Sequence, residues 1–180
     1  MIVDEVFRVA DETDSAMALG PNVVVIGSLS KTYGLPGLRL GWVAADKRRI
    51  RRLRTVQQYL TLSLGSMTVA LGAAVLAAHG KFSRAQLIRK NRRILTDWAK
   101  KNANILAVSE PQGGTTVCLT VNKRLGEMKL FRQFLQLGVL LVPGTQNFDF
   151  VADVPWFRLG YATESRALRK GLEQISAVLR

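Results

Sequence analysis

Apolar and polar positions follow two rhythms along the chain. Val23-Val24-Val25-Ile26 is a β-branched run, and it predicts a strand over 22–27. Met1-Ile2-Val3 reads as a strand fragment. The segment 40–45 reads as a further strand, and its near-continuous apolar character suits a sheet covered on both faces. Between the first two, residues 9–22 are rich in Asp, Glu, Ser, Gly and Pro and predict a surface loop. A helical rhythm then takes over. Ile50, Leu53, Val56 and Leu60 recur at helical spacing behind Asp46, a capping residue type. The alanine-rich segment 66–78 carries Met67, Ala70, Leu71, Ala74 and Val75 as an apolar stripe. It predicts a second, well-buried helix ended by His79-Gly80. The segment 82–102 predicts a long helix with Phe82, Ala85, Ile88, Leu95 and Trp98 on one side.

The second half alternates the two rhythms. A short strand is predicted over 105–108, a turn at Pro111-Gln112-Gly113-Gly114, and a strong strand over 115–121. A helix over 127–137 is closed by Gly138, and an apolar strand over 139–142 ends at Pro143-Gly144. A loop over 145–154 holds Phe148 and Phe150. Arg158 is the one charge in an apolar strand over 156–162, where a charge is costly unless paired. Thr163 is placed to cap a last helix bearing Leu168, Leu172, Ile175 and Leu179 on one face. This order of elements predicts an α/β fold.

Composition narrows the class. With 180 residues, 48% hydrophobic and 22% charged, the chain has ordinary globular make-up and enough apolar material for a core. No apolar stretch is long enough to span a bilayer. The first residues have neither the basic nor the apolar region of a signal peptide, so a soluble, cytoplasmic protein is expected. The single Cys118 excludes an internal disulfide framework, and it reads as packed rather than reactive, with no basic neighbour evident. His79 is the only histidine, and no cluster at ligand spacing predicts a metal site.

The net charge of +13 is the unusual quantity. Its densest cluster is Lys47, Arg48, Arg49, Arg51, Arg52 and Arg54. The favoured reading is the solvated face of an amphipathic helix. A nucleic-acid or anionic-lipid patch is the sharper alternative. Single-strand readers interleave aromatics with basic residues, and only Tyr59 lies nearby.

The candidate chemistry is concentrated in 28–42. Lys31 stands between hydroxyl side chains at the end of the strand, and Arg39 follows beyond Gly34, Pro36 and Gly37. A lysine amine can form a Schiff base with an aldehyde. The hydroxyls of Ser28 and Ser30 can donate to phosphate oxygens, and Arg39 offers a planar fork for bidentate pairing with phosphate. Each part has a use if the ligand is an aldehyde bearing a phosphate.

Ser28-x-Ser30-Lys31 with Arg39 and Gly41-Trp42 resembles the cofactor-lysine motif of the class I/II aminotransferases, fold-type-I enzymes that use pyridoxal 5′-phosphate (PLP). The Pro-x-Gly-Gly loop and Pro143-Gly144 are further family-like features. The resemblance implies the C-terminal portion of the PLP-dependent transferase fold. Residues 1–80 would be part of the PLP-binding large domain, and 81–180 the connecting long helix with a small α+β domain. It implies that Lys31 is catalytic, bonding the cofactor and then moving the substrate's Cα proton. It assigns Asp4 to the pyridine nitrogen, Ser28, Ser30 and Arg39 to the phosphate, and Arg158 to the substrate's α-carboxylate. Phe7 stands where the family often has a tyrosine donating to the cofactor's phenolic oxygen; it keeps the ring and loses the donor.

The resemblance further implies amino acid and 2-oxo acid substrates and a homodimer. The N-terminal part of the family's large domain is not represented. In the family that part supplies phosphate-binding backbone amides, an aromatic stacked on the pyridine ring and an asparagine. Weak or absent turnover is therefore expected of these 180 residues alone. The alternative function is a non-catalytic aminotransferase-like module that binds nucleic acid or a protein partner through its basic helices.

Overall fold

A computed structural model describes the chain except for residues 10–13, 79–82, 112, 123–124, 148–152 and the side chain of Gln146. The expected helix end at His79-Gly80, the start of the long helix at Phe82 and the loop phenylalanines Phe148 and Phe150 lie outside the described residues. The chain divides into two compact units, Met1–Ala85 and Gln86–Arg180.

The first unit is built on a three-stranded sheet in the order β1-β2-β3. Strand β1 (Ile2–Asp4) runs parallel to β2 (Val24–Ser28), with Asp4 beside Ile26. Strand β3 (Gly41–Ala44) returns antiparallel, with Gly41 beside Ser28 and Trp42 beside Gly27. The parallel pair needs a crossover, and the predicted loop over 9–22 lies within it, including a 3-10 turn at Ala16–Leu19. The core here is small: Val9, Val23, Val25 and Leu29 are buried. The indole of Trp42 lies over Gly27, where a Cβ would stand 2.3 Å from its ring. The absence of a side chain at Gly27 thus sets where that indole rests.

Helix α1 (Lys47–Thr61) starts as predicted at Asp46, whose carboxylate accepts from the backbone N–H groups of Arg48 and Arg49. Its apolar stripe is not buried. Leu53, Val56 and Leu60 are exposed, and the stripe with Ile26, Trp42 and Val43 lines an open groove of about 620 Å³. Helix α2 (Ser66–Ala77) corrects the expectation of a well-buried helix. Only Gly72 is buried, fitted against Leu40, while Met67, Val69, Leu71 and Leu76 are exposed. Strand β3 likewise has Gly41, Trp42 and Val43 exposed rather than covered on both faces. Alanine and leucine content sets how apolar an element is. What overlies it is a separate matter, and here little does.

The second unit has a proper core. Its four-stranded antiparallel sheet has the order β4-β5-β7-β6: β4 (Leu106–Val108), β5 (Thr116–Val121), β6 (Val142–Pro143) and β7 (Trp156–Gly160). Only Val142 and Pro143 of the predicted strand over 139–142 pair. Helices α3 (Ala85–Lys101), α4 (Glu127–Gln136) and α6 (Ser165–Leu179) contribute to that core, and a single turn, α5 (Gly144–Asn147), follows β6. Alternate residues of β5 and β7 point inward: Val117, Leu119 and Val121, with Phe157 and Leu159. Buried with them are Ile88 and Leu95 of α3, Leu130 and Phe134 of α4, and Leu168, Leu172, Ile175 and Leu179 of α6. Phe134 and Phe157 meet edge to face at 5.4 Å. Gly138 takes a φ of +76° behind α4, the left-handed stop its position predicts.

Helix α6 begins one residue later than predicted. Glu164 flanks it with no side-chain cap, and Thr163 does not cap. The Thr163 carbonyl instead accepts from the Asn91 amide at 2.6 Å. Tyr161, fully buried, donates to the Gly114 carbonyl at 2.7 Å. That bond pins the Gly113-Gly114 turn, where Gly114 has a φ of +77°.

Candidate active site

Because β1 and β2 are parallel, their carboxyl ends lie at one edge of the first unit's sheet. Ligands of open α/β sheets bind outside such ends. Asp4 closes β1 and Ser28 closes β2. The segment from Ser28 to the start of β3 leaves from that edge and returns to it.

This segment is anchored at two points. Leu29 is fully buried, and its backbone N–H donates to the Leu40 carbonyl. Thr32 is buried, and its carbonyl accepts from Arg84 N. Between them Lys31 faces outward, exposed, with its carbonyl bonded to Gly34 N. Gly34 takes a φ of +68°, and the Arg84 side chain lies against it where a Cβ would stand. The lysine is therefore an exposed side chain on a base anchored on both sides. Its Nζ stands 5.1 Å from the centre of the Phe7 ring, within cation–π range. Phe7 comes from the segment after β1, so the contact joins the two strand ends.

The hydroxyls come together as well. Ser28 Oγ is 2.9 Å from Ser30 Oγ and accepts from Ser30 N at 3.0 Å. Asp4 is exposed, and its Oδ1 accepts from Val6 N at 2.9 Å, which orients the carboxylate and leaves the other oxygen available. Arg39 does not stand with the serines by any hydrogen bond. It ends a 3-10 turn (Pro36–Leu38) in the left-handed region, φ 49° and ψ 39°, and its guanidinium donates to the Pro36 carbonyl at 3.2 Å. A non-glycine residue held there costs about 1–3 kcal/mol and is a feature of ligand-contacting loops. A cavity of about 120 Å³ reaches Ser28, with Glu5, Arg8, Thr32 and Trp42 in its walls.

Arg158 belongs to the second unit. It sits in the middle of β7, an interior strand flanked by β5 and β6, rather than on a sheet edge. It faces the open side of the sheet, opposite the buried Phe157 and Leu159. Its register neighbours are Cys118 on β5 and Val142 on β6. Cys118 therefore has a basic neighbour, contrary to the sequence reading. The two residues are 40 positions apart, and only strand pairing brings them together. Burial pushes the Cys118 thiol above its ordinary value. No group of His, Cys, Asp and Glu able to hold a metal occurs among the described residues, and no helix among them is long and apolar enough to cross a membrane.

The donor set at the first unit's edge suits a phosphorylated pyridine aldehyde: an amine, a carboxylate for a ring N–H, and two hydroxyls with a guanidinium on the same connection. A sheet of this order with a second α+β unit is the fold of the type-I PLP-dependent transferases. A PLP-dependent aminotransferase from Streptococcus suis superposes with a TM-score of 0.84 at 31% identity, over 99% of this chain and 48% of that one. The chain belongs to the family described as aminotransferase class I and II, which it matches over residues 2–175. Among its relatives are the capreomycidine synthase of Streptomyces vinaceus, 32% identical over 87% of this chain and 40% of that protein. Another is a 3-methylarginine biosynthesis aminotransferase of Streptomyces arginensis, 29% identical over 99% of this chain and 49% of that protein. The chain thus spans about half the length of the curated relatives it matches.

Proposed function

We propose that this chain carries the cofactor end of a PLP-dependent aminotransferase, which moves an amino group between an amino acid and a 2-oxo acid. The observation that supports it best is the shared strand edge, where Asp4 and Ser28 end two parallel neighbours and Phe7, Ser30 and Lys31 follow just beyond them. When bound, PLP supplies an aldehyde that an amine can capture and a pyridinium that takes up the electron pair left at Cα.

The side chains then divide the work. Lys31 would hold the cofactor through its amine, and the same amine, when free, would serve as the base for the substrate's Cα proton and then as the acid that returns it. Asp4 would accept a hydrogen bond from the pyridine N–H and favour its protonated form. Ser28 and Ser30, whose hydroxyls are 2.9 Å apart, would hold the phosphate, and Arg39, whose guanidinium donates to the Pro36 carbonyl here, would join them. Phe7 packs on the Lys31 side without donating. Arg158 pairs with the substrate's α-carboxylate. The working form is a homodimer, a reading supported by the apolar surface that the first unit leaves open.

The test is the visible spectrum of the chain with added PLP, then borohydride reduction and peptide mapping. The expected result is a visible band abolished by Lys31→Ala, with the reduced label on the Lys31 peptide. Label scattered over surface lysines, or a band unchanged in Lys31→Ala, overturns the reading.

A further inference from the structure

The positive charge is not spread evenly along the chain. Residues 47–96 hold twelve Lys and Arg and no Asp or Glu, so they carry all but one of the net +13. Helix α1 opens that stretch. Its Arg49 pairs with the Asp46 carboxylate. Lys47, Arg48, Arg51, Arg52 and Arg54 are exposed, and none of them forms an ion pair among the described residues.

A helix sets residues i, i+4, i+7 and i+11 along one side. Lys47, Arg51 and Gln58 fall in one such row, and Arg48, Arg52, Thr55 and Tyr59 in the row beside it. In the sequence Tyr59 is only near the basic cluster. On the helix it is in line with Arg48 and Arg52, roughly 16 Å along the axis from Arg48. Its side chain is 86% exposed. The apolar side of α1 is turned elsewhere. Ile50, Leu53, Val56 and Leu60 line the open groove shared with Ile26, Trp42 and Val43, with Arg54 at its rim. Lys47, Arg48, Arg51, Arg52 and Tyr59 do not line that groove.

We propose that the basic side of α1 binds single-stranded nucleic acid without regard to sequence. Lys47, Arg48, Arg51 and Arg52 neutralise phosphates along the strand, and the guanidinium forks suit phosphate oxygens. Tyr59 takes a base on its ring at the end of the row. The tyrosine selects the kind of strand. In a duplex the bases already stack on one another, whereas a single strand can turn a base onto an exposed ring. An anionic bilayer is the poorer match, because an interfacial helix sinks its apolar side into the lipid, and that side of α1 is turned to the groove. The surface goes beyond the aminotransferase reading, and no residue assigned to the cofactor lies on α1.

The test is fluorescence anisotropy of a labelled oligothymidylate with the 180-residue chain, over a series of sodium chloride concentrations. Four phosphate contacts to a single strand predict that log K falls against log salt with a slope of about −3. Arg51→Gln with Arg52→Gln should flatten that slope by about half. Arg166→Gln with Arg169→Gln removes the same charge from exposed positions on α6 and should leave the slope as in the wild type. Tyr59→Leu should keep the slope and weaken binding about tenfold, equivalent to about 1.4 kcal/mol. Tyr59→Phe keeps the ring and should bind as the wild type does. A duplex of the same length should bind Tyr59→Leu and wild type alike.

All the substituted side chains are exposed, so the far-ultraviolet spectra should match throughout. An equal flattening in the two arginine doubles would mean that the net charge attracts polyanions diffusely, and it overturns the surface. Equal binding of the oligonucleotide by Tyr59→Leu and wild type overturns the single-strand reading. Vesicles of phosphatidylcholine and phosphatidylserine are the second probe. Binding to these vesicles without binding to the oligonucleotide gives the helix to a membrane surface and also overturns the proposal. The borohydride label on Lys31 reads out separately and should be the same in the Arg51 and Arg52 double as in the wild type.

Discussion

Asn91 carries no exposed surface, yet it is a polar side chain on the inward face of α3. Its amide donates to the Tyr161 carbonyl at 2.8 Å and to the Thr163 carbonyl at 2.6 Å, and its oxygen accepts from Ser165 Oγ at 2.8 Å. One side chain thus satisfies the backbone where β7 ends and α6 has not yet begun. Removing it leaves buried acceptors bare, at about 1–3 kcal/mol for each group so stranded. Asn91→Ala should destabilise the second unit by about 2–3 kcal/mol, a fall in unfolding midpoint of roughly 10 °C or more for a unit of this size. Asn91→Leu keeps the volume and should lose nearly as much. A leucine variant as stable as the wild type would show that packing, not hydrogen bonding, holds the junction. Nothing in the sequence marked Asn91, because its three partners lie 70 to 74 positions away. The cofactor-lysine motif was legible because Lys31, its flanking serines and Arg39 are neighbours on one short connection. Cys118 beside Arg158 was not, since that neighbour exists only through strand register.

At the scale of elements, periodicity located helices and strands well and burial poorly. Helix α1 illustrates both. Its start at Asp46 is as local as a signal can be, and the carboxylate both caps the helix and pairs with the Arg49 guanidinium. Arg49 also reaches the Pro21 carbonyl and Asn22 Oδ1, tying the helix start to the head of β2. The hydrogen bond from Arg49 holds the Asp46 carboxyl below the ordinary aspartate value. A carboxylate with a lowered folded value contributes stability above its unfolded value, and loses that contribution as pH falls through the folded one. Asp46→Asn retains a capping oxygen and loses the charge. The thermal midpoints of wild type and Asp46→Asn should therefore differ at neutral pH and converge in acid, below the ordinary carboxylate range. A gap that stays constant down to the acid limit would mean that the charge contributes nothing. The stripe of the same helix had no such local guarantee. Leu53, Val56 and Leu60 have the spacing of a buried face, but burial requires a second element to cover them, and the described residues of the first unit leave the groove open. The same reasoning explains why the alanine-rich α2 looked buried in sequence and is exposed in structure.

Taken whole, the first unit sets two forces against each other. Tyr59, Leu60, Leu62 and Met67 are each more than three-quarters exposed, at 86%, 77%, 86% and 78%, and Val56, Leu71 and Val69 lie on the same two helices. Exposed apolar surface of this extent marks an interaction face, and burial returns about 25 cal/mol per Å². A stable interface needs roughly 800 Å² from each partner. Against it stands a net charge of +13, which repels a second copy at long range. The two forces respond oppositely to salt. At about 0.1 M the screening length is near 10 Å, so added salt removes the repulsion and leaves the apolar attraction nearly intact. The 180-residue chain should therefore self-associate more strongly as sodium chloride rises, as read by sedimentation velocity across a concentration series. Replacing Leu60 and Met67 together with serine should weaken association at every salt concentration and leave the far-ultraviolet spectrum unchanged, because both side chains are already in water. Association that weakens as salt rises would place the driving force in charge pairing instead. A chain that stays monomeric at high salt would mean that the exposed stripe does not attract its own copy.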